Sequence, residues 1–437
     1  MVNLEIVAKF LWHFLGIRER MGVALLLLVV EGTWIALAAV RVLATLLFDR
    51  LLRLVGKGGV IPASITCLED AADMSALLGS VVLRSRSDAE KFALSEAKAL
   101  GAGGTGTTRS WLTIETADGG ARRVFAKMPA STTFEALFLT VFGVYENECR
   151  FYQYLMKGRE RFREGLFAQG FVASFERGRF VLVLEDLAAR PGGTHFPTAK
   201  SPHPEAQVKA ALDAYASLHA ATWNAPPPGV WTDERSCEVV GGAPTRPPFL
   251  QIVADSTLRA VLRRFPGLLP DDVLDTYRAF LRGYDAVRQF WSSGLLALVH
   301  GDSHLGNIAF SKADGRATFY DLQCVAAEHP IRDVAYHLMI SCDSADLAAN
   351  ERAYLAHYLD ALGAQRLGPG ALSMDDAWRA YRLHALWALC ALVISAGASD
   401  LFEASMATLT ISRVVVAMQR IDSRGALDDV LRAARKA

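Results

Sequence analysis

The most continuous hydrophobic pattern lies near the amino terminus. From Met21 to Phe48 the chain is almost wholly apolar, and Arg18 and Arg20 precede the run. At about 100° per residue, Arg20, Glu31, Arg41, Thr45, Asp49 and Arg53 fall on one narrow stripe. The pattern predicts a helix with a wide apolar face that must be buried against the rest of the chain, a second copy or a membrane interface. Glu31 and Arg41 interrupt the run, so no stretch of about 20 residues is free of charge. A short apolar region ending in a small-residue cleavage site is not evident, which argues against a removed signal peptide. Val55-Gly56-Lys57-Gly58-Gly59-Val60-Ile61-Pro62 then breaks the helix. Residues 1–56 thus read as an apolar helical extension.

Between Leu100 and Leu187 the pattern becomes strand-like. Trp111–Thr116 is rich in β-formers, Ala117-Asp118-Gly119-Gly120 is a turn, and Val124–Lys127 returns as a strand. A helix is expected over Phe134–Met156. Phe180–Leu184 is a short apolar strand that ends at Glu185-Asp186. Residues 57–184 therefore form a strand-rich lobe, and residues 185–190 form a connection.

Residues 191–437 read as mostly helical. Ala206–Trp223 and Pro270–Trp291 are long periodic segments, with Pro-rich extended loops expected at 225–228 and 244–248. Two short strands, Asn307–Phe310 and Ala317–Tyr320, are joined by a hairpin turn at Lys312-Ala313-Asp314-Gly315. The fold class expected is α+β: a small antiparallel-sheet lobe followed by a larger helical lobe.

Composition narrows the function. Of the 437 residues, 52% are hydrophobic and 21% charged, enough for a large core. Basic and acidic residues number 46 each, so the basic excess of a nucleic-acid binder is missing. The cysteines, Cys67, Cys149, Cys237, Cys324, Cys342 and Cys390, are scattered, with no metal-binding spacing. They read as core-filling thiols of a reducing, cytoplasmic compartment, with membrane association through residues 1–56 left open.

The chemistry concentrates at Val299-His300-Gly301-Asp302-Ser303-His304-Leu305-Gly306-Asn307. His-x-Asp followed five residues later by Asn has the spacing of a kinase catalytic loop. There, an Asp reaches the acceptor hydroxyl as catalytic base while an Asn carbonyl one loop further on holds magnesium. Asp321 ends the following hairpin, where a second carboxylate can bridge magnesium to the nucleotide phosphates. Upstream, Gly101-x-Gly103-x-x-Gly106 fits a glycine-rich phosphate loop. Lys127 ends the next strand, where it could hold the α/β-phosphates. Glu146 and Glu148 are both candidates to pair with Lys127, with Glu148 favoured. Two other readings use the same residues: a metal-dependent hydrolase built on His300, Asp302 and His304, and a nucleotide-binding pseudokinase acting as a partner protein.

These residues resemble the aminoglycoside phosphotransferase/choline kinase superfamily, and more closely its ecdysteroid-kinase-like branch, bacterial members included. The matching stretches are His300–Asn307, Asp321-Leu322-Gln323 and Arg332-Asp333-Val334-Ala335-Tyr336. Asn147-Glu148-Cys149-Arg150-Phe151-Tyr152 is similar to the family helix that carries the lysine-pairing glutamate. Val183–Leu187 is similar to the interlobe hinge, so backbone at Glu185, Asp186 and Leu187 would meet adenine. Leu218-His219-Ala220 matches a family helix and is expected to pack rather than react, and Asp333 is expected to organise the loop. The likeness runs from about Gly101 to at least Asp400 and does not include the apolar amino terminus.

The resemblance implies a bilobal protein-kinase-like fold, ATP and Mg2+ as cofactors, and phosphoryl transfer to a hydroxylated small molecule. Leu322-Gln323 stands where protein kinases have Phe-Gly, and no Ala-Pro-Glu segment follows, which disfavours a protein substrate. From Ser341 to Ala437 there are 11 acidic and 10 basic residues, so no acidic surplus awaits a polycation. The apolar run Leu383–Ile394 is either core or the wall of a pocket for a lipophilic alcohol.

Overall fold

The computed structural model describes residues 107–115, 121–129, 139–140 and 143–436, with breaks at 159–161, 177–178, 227–230, 233–246, 293, 368–371 and 399–401, together with Val40, Leu43, Ala44 and Leu47. The rest of the apolar extension, the 57–106 segment with Gly101, Gly103 and Gly106, the 117–120 turn, Cys67 and Cys237 lie outside the described residues.

The first lobe is a four-stranded antiparallel sheet in the order β1-β2-β4-β3, built from β1 (Thr107–Glu115), β2 (Ala121–Pro129), β3 (Gly170–Glu176) and β4 (Arg179–Glu185). Its central strand β4 is buried along Phe180–Leu184, which is why it reads as a continuous apolar run rather than an alternating one. Helix α1 (Val144–Lys157) covers one face and stacks Tyr145 on Phe180, ring centroids 4.4 Å apart. A single helix from Phe134 is ruled out by Gly143, whose φ of 63° turns the chain just before α1.

The second lobe is helical with short strands between helices. In order it contains β5 (Thr194–His195), α2 (Glu205–Ala221), β6 (Trp231–Thr232), α3 (Pro247–Arg264), α4 (Asp271–Arg282) and α5 (Tyr284–Ser292). Then come β7 (Ala297–Val299), β8 (Ile308–Ser311), β9 (Ala317–Phe319), β10 (Ala326–Glu328) and α6 (Ile331–Ser341). The chain closes with α7 (Ser344–Leu362), α8 (Met374–Ala398), α9 (Ala404–Arg420) and α10 (Ser423–Ala434). The small sheets are β6-β10-β7 and β5-β8-β9.

Two expectations need correction. Pro247 and Pro248 open helix α3 instead of lying in an extended loop, in keeping with the tolerance of a helix's first turn for proline. The expected helix from Pro270 to Trp291 is two helices, divided at Gly283. Helix α8 contacts α3, α6, α9 and α10 and forms the axis of the lobe. Within it Leu383, Leu386, Leu389, Leu392 and Val393 are buried, so most of the 383–394 run is core. Its Met374–Gly397 stretch is long and apolar enough to cross a membrane, yet 67% of the qualifying window is buried inside the lobe.

Candidate active site

The hairpin β8–β9 brings the two halves of the catalytic sequence together. Ile308 pairs with Phe319, and the Tyr320 amide donates to the Asn307 carbonyl at 3.1 Å. Asp321, the next residue, is therefore set beside the end of the His300–Asn307 loop. Asn307 closes a short 3-10 turn ahead of β8 rather than starting the strand.

Lys127 on β2 reaches across the cleft. Its Nζ donates to Glu148 Oε2 at 2.7 Å and to Asp321 Oδ1 at 2.9 Å, with Lys127 and Glu148 both buried. Glu146 pairs instead with Arg150, one turn along the partly exposed side of α1. Glu148 also accepts from the Leu322 amide at 3.2 Å, and its neighbour Asn147 donates to the carbonyls of Gln323 and Val325 at 2.9 and 2.8 Å. Helix α1 is thus tied to the turn that carries Asp321.

Asp321 has φ 59° and ψ 60°, a left-handed conformation uncommon outside glycine and among the better tolerated for Asp. Burial alone would raise its carboxyl, but Lys127, with smaller help from Arg109 and His300, lowers it to about 2. The Lys127 ammonium is raised: its burial cost is more than offset by Asp321 and Glu148.

The His300–Asn307 loop is held by α6. The Asp333 carboxylate, fully buried, accepts from the amides of His300 at 2.6 Å and Gly301 at 3.0 Å. It also meets His219 Nε2 at 3.2 Å, while His219 Nδ1 lies 2.9 Å from the Tyr358 hydroxyl. Burial pushes the Asp333 pKa up, and His219 with the backbone donors more than reverses that. Ser303 Oγ donates to the Asp333 carbonyl at 3.0 Å; the Ser303 carbonyl lies 3.1 Å from both Tyr215 OH and His337 Nδ1. One turn further, Ser341 Oγ accepts from the Leu305 amide at 3.0 Å. Asp333, His337 and Ser341, four residues apart, present one helix face to the loop. Gly301 has φ 81°, and a Cβ there would collide with the Cys324 carbonyl.

Asp302 emerges from this scaffold with its side chain 25% exposed. Its Oδ2 accepts from Asn307 Nδ2 at 3.1 Å and lies 3.6 Å from His304 Nε2; the Tyr336 phenol of α6 lies close enough to feel its charge. Burial first, then the Asp302 charge, pushes the Tyr336 phenol well above its usual range. With its amide nitrogen turned to Asp302, Asn307 keeps its side-chain carbonyl as an acceptor. That oxygen and the ionised Asp321 carboxylate are hard donors of the kind magnesium takes. His300 is turned away, its Nε2 3.0 Å from the Tyr320 carbonyl. Among the described residues no group of three His, Cys, Asp or Glu is arranged to hold a metal ion, so His300, Asp302 and His304 do not form the site a hydrolase would need.

At the connection between lobes the side chains are occupied. Glu185 pairs with Arg190 at 2.8 Å and accepts from the Gln169 amide at 3.0 Å. Asp186 pairs with Arg123 and caps the Leu187–Ala189 turn through the Ala188 amide at 3.0 Å. Of the backbone there, the Glu185 amide donates to the Gln169 carbonyl at 2.7 Å, and the Asp186 and Leu187 carbonyls accept from the Ala189 and Arg190 amides at 3.0 and 3.3 Å. Cys149, Cys342 and Cys390 are buried as expected, but Cys324 is exposed beside the Asp302 loop. It sits on the tight turn after Asp321, which leaves its side chain outside the core. Tyr336, His337 and Ser341 gave no sequence signal of their own beyond the family stretch, because their partners lie in the distant 300–305 loop.

The ecdysteroid kinase-like family model matches residues 109–367, and the chain belongs to that family. That family is kinase-like, which implies use of ATP, usually with magnesium. Solved structures similar to it include a choline kinase from Cryptosporidium parvum, 11% identical over 75% of this chain and 87% of that one, with a TM-score of 0.40. An ethanolamine kinase from Plasmodium vivax is 13% identical over 72% and 79%, with a TM-score of 0.40. An aminoglycoside phosphotransferase from Streptomyces rimosus is 18% identical over 65% and 93%, with a TM-score of 0.37. No curated protein matches the chain.

Proposed function

We propose that this chain transfers the γ-phosphoryl group of ATP to a hydroxyl of a small, non-protein and lipophilic acceptor, with Asp302 as the base. The observation that carries the reading is the placement of Asp302: partly exposed, oriented by Asn307, on a loop whose backbone is pinned by Asp333. When bound, ATP with magnesium supplies the phosphoryl group and the neutralising charge. Lys127, fixed by Glu148, would position the phosphates, and Asn307 and Asp321 would hold the metal. The hinge backbone at 185–187 and the glycines at 101, 103 and 106 would cover adenine and phosphates. Asp302 would orient the acceptor hydroxyl and take its proton as the oxygen bonds to phosphorus and ADP leaves.

We take the acceptor to be uncharged, on the state of one aromatic face in the helical lobe. Tyr336 shares α6 with Arg332, whose guanidinium carbon lies 4.3 Å from the Trp387 ring centroid. That aromatic face is already covered by a cation, which leaves it poorly suited to a quaternary ammonium. The decisive experiment is magnesium-dependent ADP release against a library of neutral, cationic and anionic alcohols. Stimulation by neutral lipophilic alcohols, lost by roughly 10²–10⁴-fold in Asp302→Asn with nucleotide binding retained, is the expected result. Full turnover in that variant would remove Asp302 from the role of base.

The amino-terminal apolar segment fits association with a membrane or a second copy of the chain. Val40 and Leu47, exposed by 60% and 52%, support that reading. Equal solubility, without detergent, of the full chain and a form starting at residue 57 would dismiss the membrane.

A further inference from the structure

The cleft as described holds more negative than positive charge. Asp302, Asp321 and Glu148 contribute carboxylates, while the Lys127 ammonium is already shared between two of them. A triphosphate carries about four negative charges, more than the magnesium that Asn307 and Asp321 would hold offsets, so a further cation beside the phosphates would help to hold it.

The strand beside Lys127 supplies such a charge. In the β1–β2 ladder Arg109 lies directly opposite Lys127. Directly opposed residues of an antiparallel pair project from the same face, their Cβ atoms about 5 Å apart. Arg109 Nε donates to Thr107 Oγ1 at 2.9 Å, a bond that does not use the two terminal nitrogens. Its charge is felt in both lobes: it helps to lower the Asp321 carboxyl and acts against the protonated form of Lys127. Arg109 also follows Gly106 by only three residues, so it leads directly out of the glycine-rich segment.

We propose that Arg109 is a second phosphate-binding cation of the nucleotide site, gripping the triphosphate beside Lys127. The inference rests on the nucleotide-kinase reading above. A guanidinium suits the task because it stays charged and presents parallel N–H groups to phosphate oxygens. Arg109 relieves Lys127 of a double duty. Lys127 is already paired with Glu148 and Asp321, whereas among the described residues no carboxylate is within ion-pair distance of Arg109.

The test is calorimetric titration of the full chain with magnesium and the non-hydrolysable analogue AMP-PNP, and separately with adenosine, which carries no phosphate. Arg109→Met should weaken AMP-PNP by roughly ten- to hundredfold, the scale of a lost charged hydrogen bond, and leave adenosine unchanged. Arg109→Lys should fall between. Arg109→Gln, read the same way, replaces the methionine variant if that one does not fold. Wild-type affinity for AMP-PNP in the neutral variant, or an equal loss for both ligands, overturns the proposal. If the unaltered chain binds neither ligand, the nucleotide-kinase reading itself falls and takes Arg109 with it.

Discussion

The two walls of the cleft are held by different physics. On the sheet side, the Lys127 ammonium is shared between two carboxyl groups, Glu148 of α1 and Asp321 from across the cleft. On the helical side, the Asp302 loop hangs from fixed hydrogen bonds to Asp333, Tyr215, His337 and Ser341. A shared charge can trade partners when a metal or phosphate arrives. A loop whose amides end on one buried carboxylate has no such freedom. The difference matches the tasks proposed for them: the nucleotide comes and goes, while the base must stand still.

Perturbing the helical side should therefore cost most. Asp333→Ala leaves two amides and His219 without their acceptor in a buried site. We expect a loss of roughly 3–5 kcal/mol in urea unfolding, together with turnover. Unchanged stability would mean the loop is held elsewhere. The matching change on the sheet side, Glu148→Gln, leaves Lys127 paired with Asp321. It should lower kcat/KM about tenfold while stability moves by about 1 kcal/mol or less. Equal stability losses in the two variants would erase the contrast.

The finest probe is acid. Asp321 has a folded pKa of about 2, below its ordinary value of 3.8. A depressed carboxyl contributes stability above its unfolded pKa and loses it as pH falls through the folded one. Between pH 4 and pH 2 the chain should thus lose roughly 2 kcal/mol attributable to this group. Asp321→Asn should flatten that part of the unfolding curve; an identical slope in the variant would show that other carboxylates govern it.

Sequence reading recovered the helical-side loop well, because His300–Asn307 and Asp321 lie within one short strand–loop–hairpin unit whose spacing carries its geometry. Glu148 was distinguishable from Glu146 only through the family stretch, and the fold supplies the reason: Arg150 draws Glu146 to the other side of α1. What stayed hidden depends on distant partners. His219 meets Asp333 across 114 positions of sequence, and Arg109 gains meaning only when the ladder sets it opposite Lys127. The break at Gly283 was missed because the hydrophobic period continues through it, while Cys324 was misread because a tight turn can expose any residue type.

The clamp on α1 has a mechanical side. Consecutive residues Asn147 and Glu148 make four hydrogen bonds to Lys127 and the 322–325 turn. The helix acts as a bolt between the lobes, so withdrawing it would have to break all four together.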